Sequence, residues 1–174
     1  FAARTANVNC TTLHYVRGRV GPGVIVPHGF PQDWYAFRRI MPRLAANFTV
    51  VSVDMRGVGG SAVIADGYDA ATVAEDIRQL AAELDFGSIY FVGQDNGGIV
   101  AYTFARLYPQ TTRGVMILDV PLPGIEPWEQ VKAEPLLWHF GFHQTADLPE
   151  QLIAGREFAY FRAFFDRFAL RREA

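Results

Sequence analysis

The sequence predicts an α/β fold in which a mostly parallel sheet carries flanking helices and is followed by a helical cap. Over the first 120 residues, short apolar runs rich in β-branched and aromatic residues alternate with helix-length segments. Such alternation is typical of parallel sheets, because each crossover places a helix on a face of the sheet. After residue 120 the strand signal stops, and a proline-rich segment leads into aromatic stretches. We therefore expect the N-terminal part of a core domain over residues 1–120 and a partial cap (lid) over residues 121–174.

The predicted elements can be placed along the chain one after another. We predict strands near Asn9–Val16, Val24–Pro27, Phe48–Val53, Ser88–Gly93 and Val115–Asp119. We predict helices near Trp34–Ala46, Ala70–Asp85 and Gly97–Tyr108. The middle helix has the clearest pattern, a stripe of apolar residues at the spacing of one buried face: Val73, Ile77, Leu80 and Leu84.

The most informative motif is the turn that follows the Ser88–Gly93 strand. It reads Gly93-Gln94-Asp95-Asn96-Gly97, with glycine two positions before and after Asp95. A nucleophile on a sharp strand-to-helix turn has strained backbone angles, and side chains at those two positions would collide across the turn. A carboxylate nucleophile suits attack on alkyl carbon, because the resulting ester can be hydrolysed by water. The competing interpretation is that Asp95 caps the next helix.

Two further predicted strands end in residues that suit a site at the same edge of the sheet. Val24–Pro27 runs into His28-Gly29-Phe30-Pro31, and Val115–Leu118 runs into Asp119. An ordinary strand–loop–helix connection is the alternative for the first segment. A turn-initiating Asp is the alternative for the second.

Together and in this order, these segments resemble the α/β-hydrolase superfamily, and within it the epoxide hydrolases and their dehalogenase relatives. The resemblance runs from about Leu13 to about Ala169. His28–Pro31 is similar to the HGxP motif, Gly93–Gly98 to the nucleophile elbow, and Asp54–Ser61 to the D-x-R-G-x-G-x-S loop after the fourth strand. Gln94 and Asn96 depart from the family, which usually has His before the nucleophile and Trp or an apolar residue after it.

The resemblance implies roles for residues of the core. Asp95 would be the nucleophile, and the backbone N–H groups of Phe30 and Asn96 would form the oxyanion hole. Asp119 matches the acid after the sixth strand, which orients the catalytic histidine.

In the cap, Pro135–Phe140 resembles a segment of those bacterial epoxide hydrolases in which a cap histidine donates to the epoxide oxygen. The resemblance gives this role to His139, beside Trp138 in a substrate-binding position. A histidine that simply packs beside Trp138 is the alternative. Tyr160 matches no donor of the family.

None of the four histidines stands where the family has its catalytic histidine, after an eighth strand. His14 fits a structural role and His28 fits a loop organiser. His139 and His143 have the spacing of metal ligands on a helix, but no third ligand is near, so we expect neither a metal nor another cofactor. We expect instead that the chain is truncated after the start of the cap and does not turn over substrate by itself.

The implied function is that of an epoxide hydrolase-like hydrolase, in which an apolar epoxide becomes an ester of Asp95 and then a vicinal diol. A serine nucleophile is excluded, because the only serines are Ser52, Ser61 and Ser88. The alternatives are a non-catalytic or truncated α/β-hydrolase relative and a haloalkane or haloacid dehalogenase-like hydrolase. Haloalkane dehalogenases usually bind the halide with Asn and Trp at the positions of Phe30 and Asn96, and fluoroacetate-type dehalogenases add an Arg near the nucleophile, where this chain has Asn96 and Ile99.

Composition restricts the partners. The net charge is −2 and no apolar run approaches the ~20 residues of a membrane span, so we expect neither nucleic acid nor membrane as a partner. The resemblance to epoxide hydrolases implies a small apolar epoxide and water as the partners. The single cysteine, Cys10, excludes an intrachain disulfide. A homo-oligomer stays open, as does the compartment, cytoplasmic or exported.

Overall fold

The computed structural model describes residues 1–169 of the 174-residue chain. The chain divides into two compact units, one from Phe1 to Val120 and the other from Pro121 onward. The assignment of these units to a core domain and a cap stays a prediction. Residues 170–174 of the predicted cap lie outside the described residues.

The first unit is built on a six-stranded sheet with the strand order β1-β2-β4-β3-β5-β6. The strands are β1 (Ala2–Val8), β2 (Thr11–Gly18), β3 (Gly23–Pro27), β4 (Thr49–Val53), β5 (Ile89–Gln94) and β6 (Thr112–Leu118). β2 runs antiparallel to β1 and β4, whereas β4, β3, β5 and β6 are parallel to one another. The mostly parallel sheet predicted from the sequence is confirmed.

Helices cover both faces of this sheet. On one face, α2 (Ala70–Glu83) and α3 (Asn96–Leu107) bury a cluster that contains Ile25, Phe91 and Phe104. On the other face, a 3₁₀ turn (Trp34–Phe37) and the short helix α1 (Met41–Leu44) pack over Val24 and Val26. The apolar stripe predicted for α2 is buried at all of its positions: Val73, Ile77, Leu80 and Leu84.

The prediction of one continuous helix over Trp34–Ala46 is wrong. A 3₁₀ turn ends at Phe37 and α1 begins only at Met41. Pro42 stands in the first turn of α1. Proline lacks the N–H that a helix interior needs and therefore favours a helix start over a continuation.

β1 was not predicted, and the predicted start of the next strand at Asn9 is wrong. Asn9 and Cys10 have positive φ angles of 42° and 58° and form the two-residue turn of the β1–β2 hairpin. Only Ala6 and Val8 of β1 are buried, so this edge strand lacks a sustained apolar pattern.

The second unit is helical over the described residues. It contains α4 (Trp128–Lys132), a 3₁₀ turn (Pro135–Leu137), α5 (Trp138–His143), α6 (Leu148–Ile153) and α7 (Glu157–Phe168). Rings of α5 and α7 pack against one another, with Phe164 buried among them. Between residues 1 and 169, no helix has both the length and the apolar character needed to cross a membrane.

Candidate active site

Asp95 lies at the sharp turn between β5 and α3. Its backbone has φ 52° and ψ −123°, outside the regions that non-glycine residues normally occupy. Its N–H donates to the carbonyl of Leu118 on β6 at 3.0 Å, and its carbonyl accepts from Gly98 N at 2.7 Å. Asp95 is the N-cap residue of α3 by position, but its carboxylate makes no capping hydrogen bond to that helix. Helix capping therefore does not account for a carboxylate here.

Two glycines make this turn sterically possible. A Cβ atom on Gly93 would meet the backbone of Gly97 and would lie 2.6 Å from Gly98 N. A Cβ atom on Gly97 would meet the carbonyl oxygen of Pro27 and would lie 2.7 Å from that of His28. The collision across the turn that the sequence predicts is thus present. It extends to the end of β3 as well.

The loop after β3 brings a hydrogen-bond donor to Asp95. Phe30 N donates to Asp95 Oδ2 at 2.7 Å, and Gly97 N donates to the carbonyl of His28 at 3.0 Å. Gly29 permits this approach, because a Cβ atom there would lie 2.6 Å from Asp95 Cβ. Asn96, which supplies the second predicted N–H donor, is exposed and directly follows Asp95 as the first residue of α3.

Asp119 lies beside Asp95 at the carboxyl ends of two paired strands. β5 and β6 are in register with Gln94 opposite Leu118, so Asp95 and Asp119 each directly follow the last paired position. Asp119 is exposed and has a φ of 52°. Within residues 1–169 its carboxylate makes no hydrogen bond, so its predicted role rests on its position next to the Asp95 turn at the sheet edge.

The histidines of the first unit hold loops. His28 is 2% exposed, and its Nδ1 lies 2.9 Å from the carbonyl of Gly29, while Met55 N donates to its Nε2 at 3.2 Å. Burial lowers the pKa of His28 below its usual value. The neutral ring can donate at Nδ1 and accept at Nε2, and the interpretation of His28 as a loop organiser is confirmed. His14 contacts the buried carboxylate of Asp54 at 2.8 Å.

In the second unit, the predicted donor His139 lies in α5 among aromatic rings. Its ring meets Phe140 and Phe164 edge-on, with centroids 4.8 and 5.1 Å apart. Trp138 is 47% exposed and, with Phe164 and Phe168, lines a groove of 440 Å³. Such ring contacts are compatible both with a packed histidine and with a donor in an apolar setting.

Sequence analysis missed two sets of polar contacts. In the second unit, His143 Nε2 lies 2.6 Å from the hydroxyl of Tyr160 and joins α5 to α7. Burial lowers the pKa of His143 and raises that of Tyr160. In the first unit, the carboxylate of Asp54 receives N–H groups from Trp34 and Gly60. Across the described range, no three His, Cys, Asp or Glu side chains form a group that could hold a metal ion.

Comparison with protein families gives a match over residues 22–166, to the family described as the alpha/beta hydrolase fold. A soluble epoxide hydrolase from Corynebacterium sp. (strain C12) is 38% identical over 120 residues, which are 69% of this chain and 42% of that protein. A fluoroacetate dehalogenase from Burkholderia sp. is 34% identical over 161 residues, 88% of this chain and 53% of that protein. The chain thus spans about half the length of these relatives or less.

Among solved structures, wild-type Cfl2 from Burkholderia cenocepacia superimposes with a TM-score of 0.86. The two sequences are 38% identical, and the alignment covers 98% of this chain and 60% of the other. The similarity to a solved structure therefore includes residues of both units of the chain.

Proposed function

The chain belongs to the α/β-hydrolase fold family, and on that premise we propose that it carries the nucleophile and oxyanion hole of an epoxide hydrolase-like enzyme. The observation that carries this proposal is the contact between Phe30 N and Asp95 Oδ2 at 2.7 Å, made at a strained elbow. A backbone donor so placed serves no capping function and suits a carboxylate that becomes an ester. Similarity to a protein named soluble epoxide hydrolase favours epoxides as substrates.

The first chemical step is attack by Asp95 on the epoxide. Phe30 N–H donates to Oδ2, and we assign the attack to Oδ1. A bond forms between Oδ1 and an epoxide carbon, the C–O bond of the ring breaks, and its electron pair goes to the epoxide oxygen. That oxygen then takes a proton, and the product is an ester of Asp95.

The second step is hydrolysis of this ester. Water attacks the ester carbonyl carbon, and negative charge develops on Oδ2, where the N–H groups of Phe30 and Asn96 stabilise it. The vicinal diol leaves with Oδ1, and the water oxygen stays on Asp95. Asp119, beside Asp95 at the sheet edge, has the place of the acid that orients the histidine that activates this water.

In the second unit, we assign the proton donor of ring opening to His139 and a substrate-binding role to Trp138. Their support is the aromatic setting of α5, in which Phe140 and Phe164 pack on the His139 ring. An apolar surrounding strengthens a hydrogen bond to the developing alkoxide. The partners of the protein are then an apolar epoxide and water, and a homo-oligomer is compatible with the exposed apolar residues of the edge strand β6.

The test is a single-turnover reaction of an aryl epoxide in ¹⁸O-water, followed by mass spectrometry of the peptide that contains Asp95. It is made in a protein that carries this chain together with a histidine that activates water, because none of the four histidines here stands in that place. We expect an ester on Asp95, then ¹⁸O in its carboxylate, and an unlabelled diol in the first turnover. Asp95→Asn should form no ester but keep its melting temperature within a few degrees. His139→Ala should slow ester formation by about 10²-fold, the usual scale for one lost acid or oxyanion donor.

Asp95→Ser is the matched control for the nucleophile. It should not restore turnover, because a serine ether with an alkyl carbon is not hydrolysed as an ester is. Label in the diol during the first turnover would show direct attack by water and would refute the ester mechanism. Unchanged ester formation in His139→Ala would leave His139 a packing residue.

A second candidate function is dehalogenation by the same nucleophile. It is favoured by the similarity over 161 residues to a protein named fluoroacetate dehalogenase. Attack of Asp95 on a carbon–halogen bond would give the same kind of ester and release halide. Haloalkane dehalogenases bind the halide with Asn and Trp at the positions of Phe30 and Asn96. This chain lacks both residues there, which disfavours dehalogenation of haloalkanes. Halide release measured with haloacetates and haloalkanes, against diol formation from epoxides, separates the two.

A further inference from the structure

The Phe30 loop (residues 28–34) follows β3. Hydrogen bonds hold both of its ends to Ser52, Asp54 and Met55, at the end of β4 and just after it. We infer that Asp54, with Ser52 and Met55, positions the Phe30 N–H against Asp95, and that Asp54 is thus a positioning residue for ester hydrolysis. The inference rests on the proposed function, because it concerns the same donor and the same carboxylate.

The far end of the loop is held at Trp34. Trp34 N donates to Asp54 Oδ1 at 2.7 Å, and the Trp34 carbonyl accepts from Ser52 Oγ at 3.0 Å. Both polar groups of the Trp34 backbone are therefore bound by side chains from one short stretch of chain. A hydrogen bond to an ionised acceptor is stronger than one between neutral groups, so the bond to Asp54 is the firmer of the two.

The near end of the loop is held through His28. The His28 ring bridges the Gly29 carbonyl, at 2.9 Å from Nδ1, and Met55 N, at 3.2 Å from Nε2. Met55 directly follows Asp54 in the chain. Phe30 lies between these two anchors, in a turn that Gln32 N closes on the Gly29 carbonyl at 2.9 Å.

The surroundings of Asp54 show a site built around its carboxylate. Asp54 is completely buried, and its Oδ2 accepts from Gly60 N at 2.9 Å and contacts His14 Nδ1 at 2.8 Å. Gly59 has a φ of 57° and lies against the Asp54 carboxylate. A Cβ atom on Gly59 would collide with that carboxylate, so only glycine allows the chain to pass so close. Burying an ionised carboxylate is costly unless hydrogen bonds replace its water, and here they come from three segments of the chain.

The position of the Phe30 N–H relative to Asp95 Oδ2 determines how much the donor contributes to the reaction. An oxyanion donor acts only if it is held where the charge develops, and a displacement of about 1 Å can cost about 10²-fold in rate. Asp54 does not touch the reacting atoms. Loosening it should therefore affect hydrolysis of the ester, in which Oδ2 takes the charge, more than formation of the ester.

The first test measures the Phe30 donor directly, by amide hydrogen exchange of the protein followed by NMR or mass spectrometry. In Asp54→Asn, the Phe30 N–H should exchange about tenfold faster or more, the scale expected for losing a hydrogen bond to a charged group. Ser52→Ala removes one hydroxyl with little change in volume and should accelerate exchange at Phe30 less, but in the same direction.

The control is Glu75→Gln. The carboxylate of Glu75 accepts from Arg78 Nε at 2.6 Å, Gln79 Nε2 at 2.8 Å and the Tyr108 hydroxyl at 2.8 Å, and none of these residues belongs to the loop or to its anchors. We expect Glu75→Gln to lower the melting temperature while leaving exchange at Phe30 unchanged. If Asp54→Asn does not fold, Ser52→Ala against Glu75→Gln decides the question.

The second test follows the ester on Asp95 after a single turnover, in the protein with the water-activating histidine that the ¹⁸O test uses. Asp54→Asn should lengthen its lifetime by about 10- to 100-fold while ester formation slows much less, and Glu75→Gln should leave this ratio as in the unmodified protein. Unchanged exchange at Phe30 in Asp54→Asn and Ser52→Ala, or equal acceleration by Glu75→Gln, would overturn the inference. Absence of any ester in the unmodified protein would instead refute the proposed function, and the exchange data would still decide on the anchoring.

Discussion

The backbone of Asp95 lies outside the left-handed region in which aspartates with a positive φ are usually found. Asp85, Asp119 and Asp147 also have positive φ angles, between 52° and 62°. Asp and Asn visit the left-handed region more readily than other residues, so a positive φ by itself is no sign of function. Asp95 combines its φ of 52° with a ψ of −123°, far from the left-handed well. A conformation of this kind persists only where neighbouring contacts impose it.

Gly93→Ala tests how firmly the elbow is imposed. The new methyl group would meet the Gly97 carbonyl, so the turn must open. We expect a loss of about 1–3 kcal/mol in the free energy of unfolding, as for overpacked cores, and a large loss of ester formation at Asp95. Urea denaturation and mass spectrometry of the Asp95 peptide would measure the two effects.

Gly87→Ala is the corresponding control. A Cβ atom on Gly87 has no neighbour within 4 Å, so this change should alter stability by no more than about 0.5 kcal/mol and leave ester formation intact. Equal effects of the two substitutions would contradict the steric account of the elbow.

At the scale of residues, the sequence predicts those parts of the site that depend on neighbours within a few positions. The Gly93–Gly97 spacing expresses a collision inside one turn and could be recognised without a structure. The contact of Asp54 with Trp34 joins residues 20 positions apart, and that of His14 with Asp54 joins residues 40 apart. Nothing in the local pattern specifies such pairs, so the anchoring of the Phe30 loop could not be predicted.

Helices could be predicted from the sequence where the spacing of apolar residues and the residues that start or stop a helix indicate the same segment. For α2, the buried stripe sets the face and Asp69 sets the start, with its carboxylate accepting from Ala71 N and Thr72 N at 3.0 Å each. The segment over Trp34–Ala46 has no such agreement. There Pro42 competes with the apolar pattern, and two short helical pieces result.

Asp69→Ala should weaken α2 from its first turn. Loss of the cap should cost about 1 kcal/mol of the free energy of unfolding at pH 7. Hydrogen bonds from Thr72 hold the pKa of Asp69 below its usual value. The folded state thus favours the ionised form, so the contribution is full above the ordinary pKa of Asp and falls as the pH drops through the lowered pKa.

Asp69→Asn separates the hydrogen bonds of the cap from its charge. This variant should lose only a few tenths of a kcal/mol at pH 7, because Asn caps about as well as Asp. The difference in stability between the unmodified protein and Asp69→Asn should shrink between pH 7 and pH 3 in urea titrations. A constant difference would contradict the assigned ionisation.

At the scale of the molecule, β6 is an edge of the sheet over the described residues. It carries exposed apolar side chains on both faces, with Val115 38% and Met116 55% exposed. Natural edge strands usually carry charge, proline or a cover, because unpaired backbone groups otherwise recruit another strand. This edge is therefore where we expect the 174-residue chain to associate with itself.

Met116→Lys should reduce that association. A lysine on an edge strand must lose part of its hydration when another strand pairs there, so the oligomer should weaken while the monomer keeps its fold. Sedimentation velocity over a tenfold concentration range would measure the change. Val20→Lys, at a residue 97% exposed between β2 and β3, is the control and should leave association as it was. A monomeric unmodified chain would refute the expectation.

The place of β3 between β4 and β5 also sets when the site can first exist. Phe30 is followed by Asp95 only 65 residues later, and the two meet after β5 has entered the sheet beside β3. At ribosomal speeds of about 5–20 residues per second, Asp95 is synthesised several seconds after Phe30. A nascent chain therefore cannot form the contact between Phe30 N and Asp95 before its central strands are complete. Labelling of nascent chains with an electrophile that esterifies Asp95 would then report the time at which β5 pairs with β3 during synthesis.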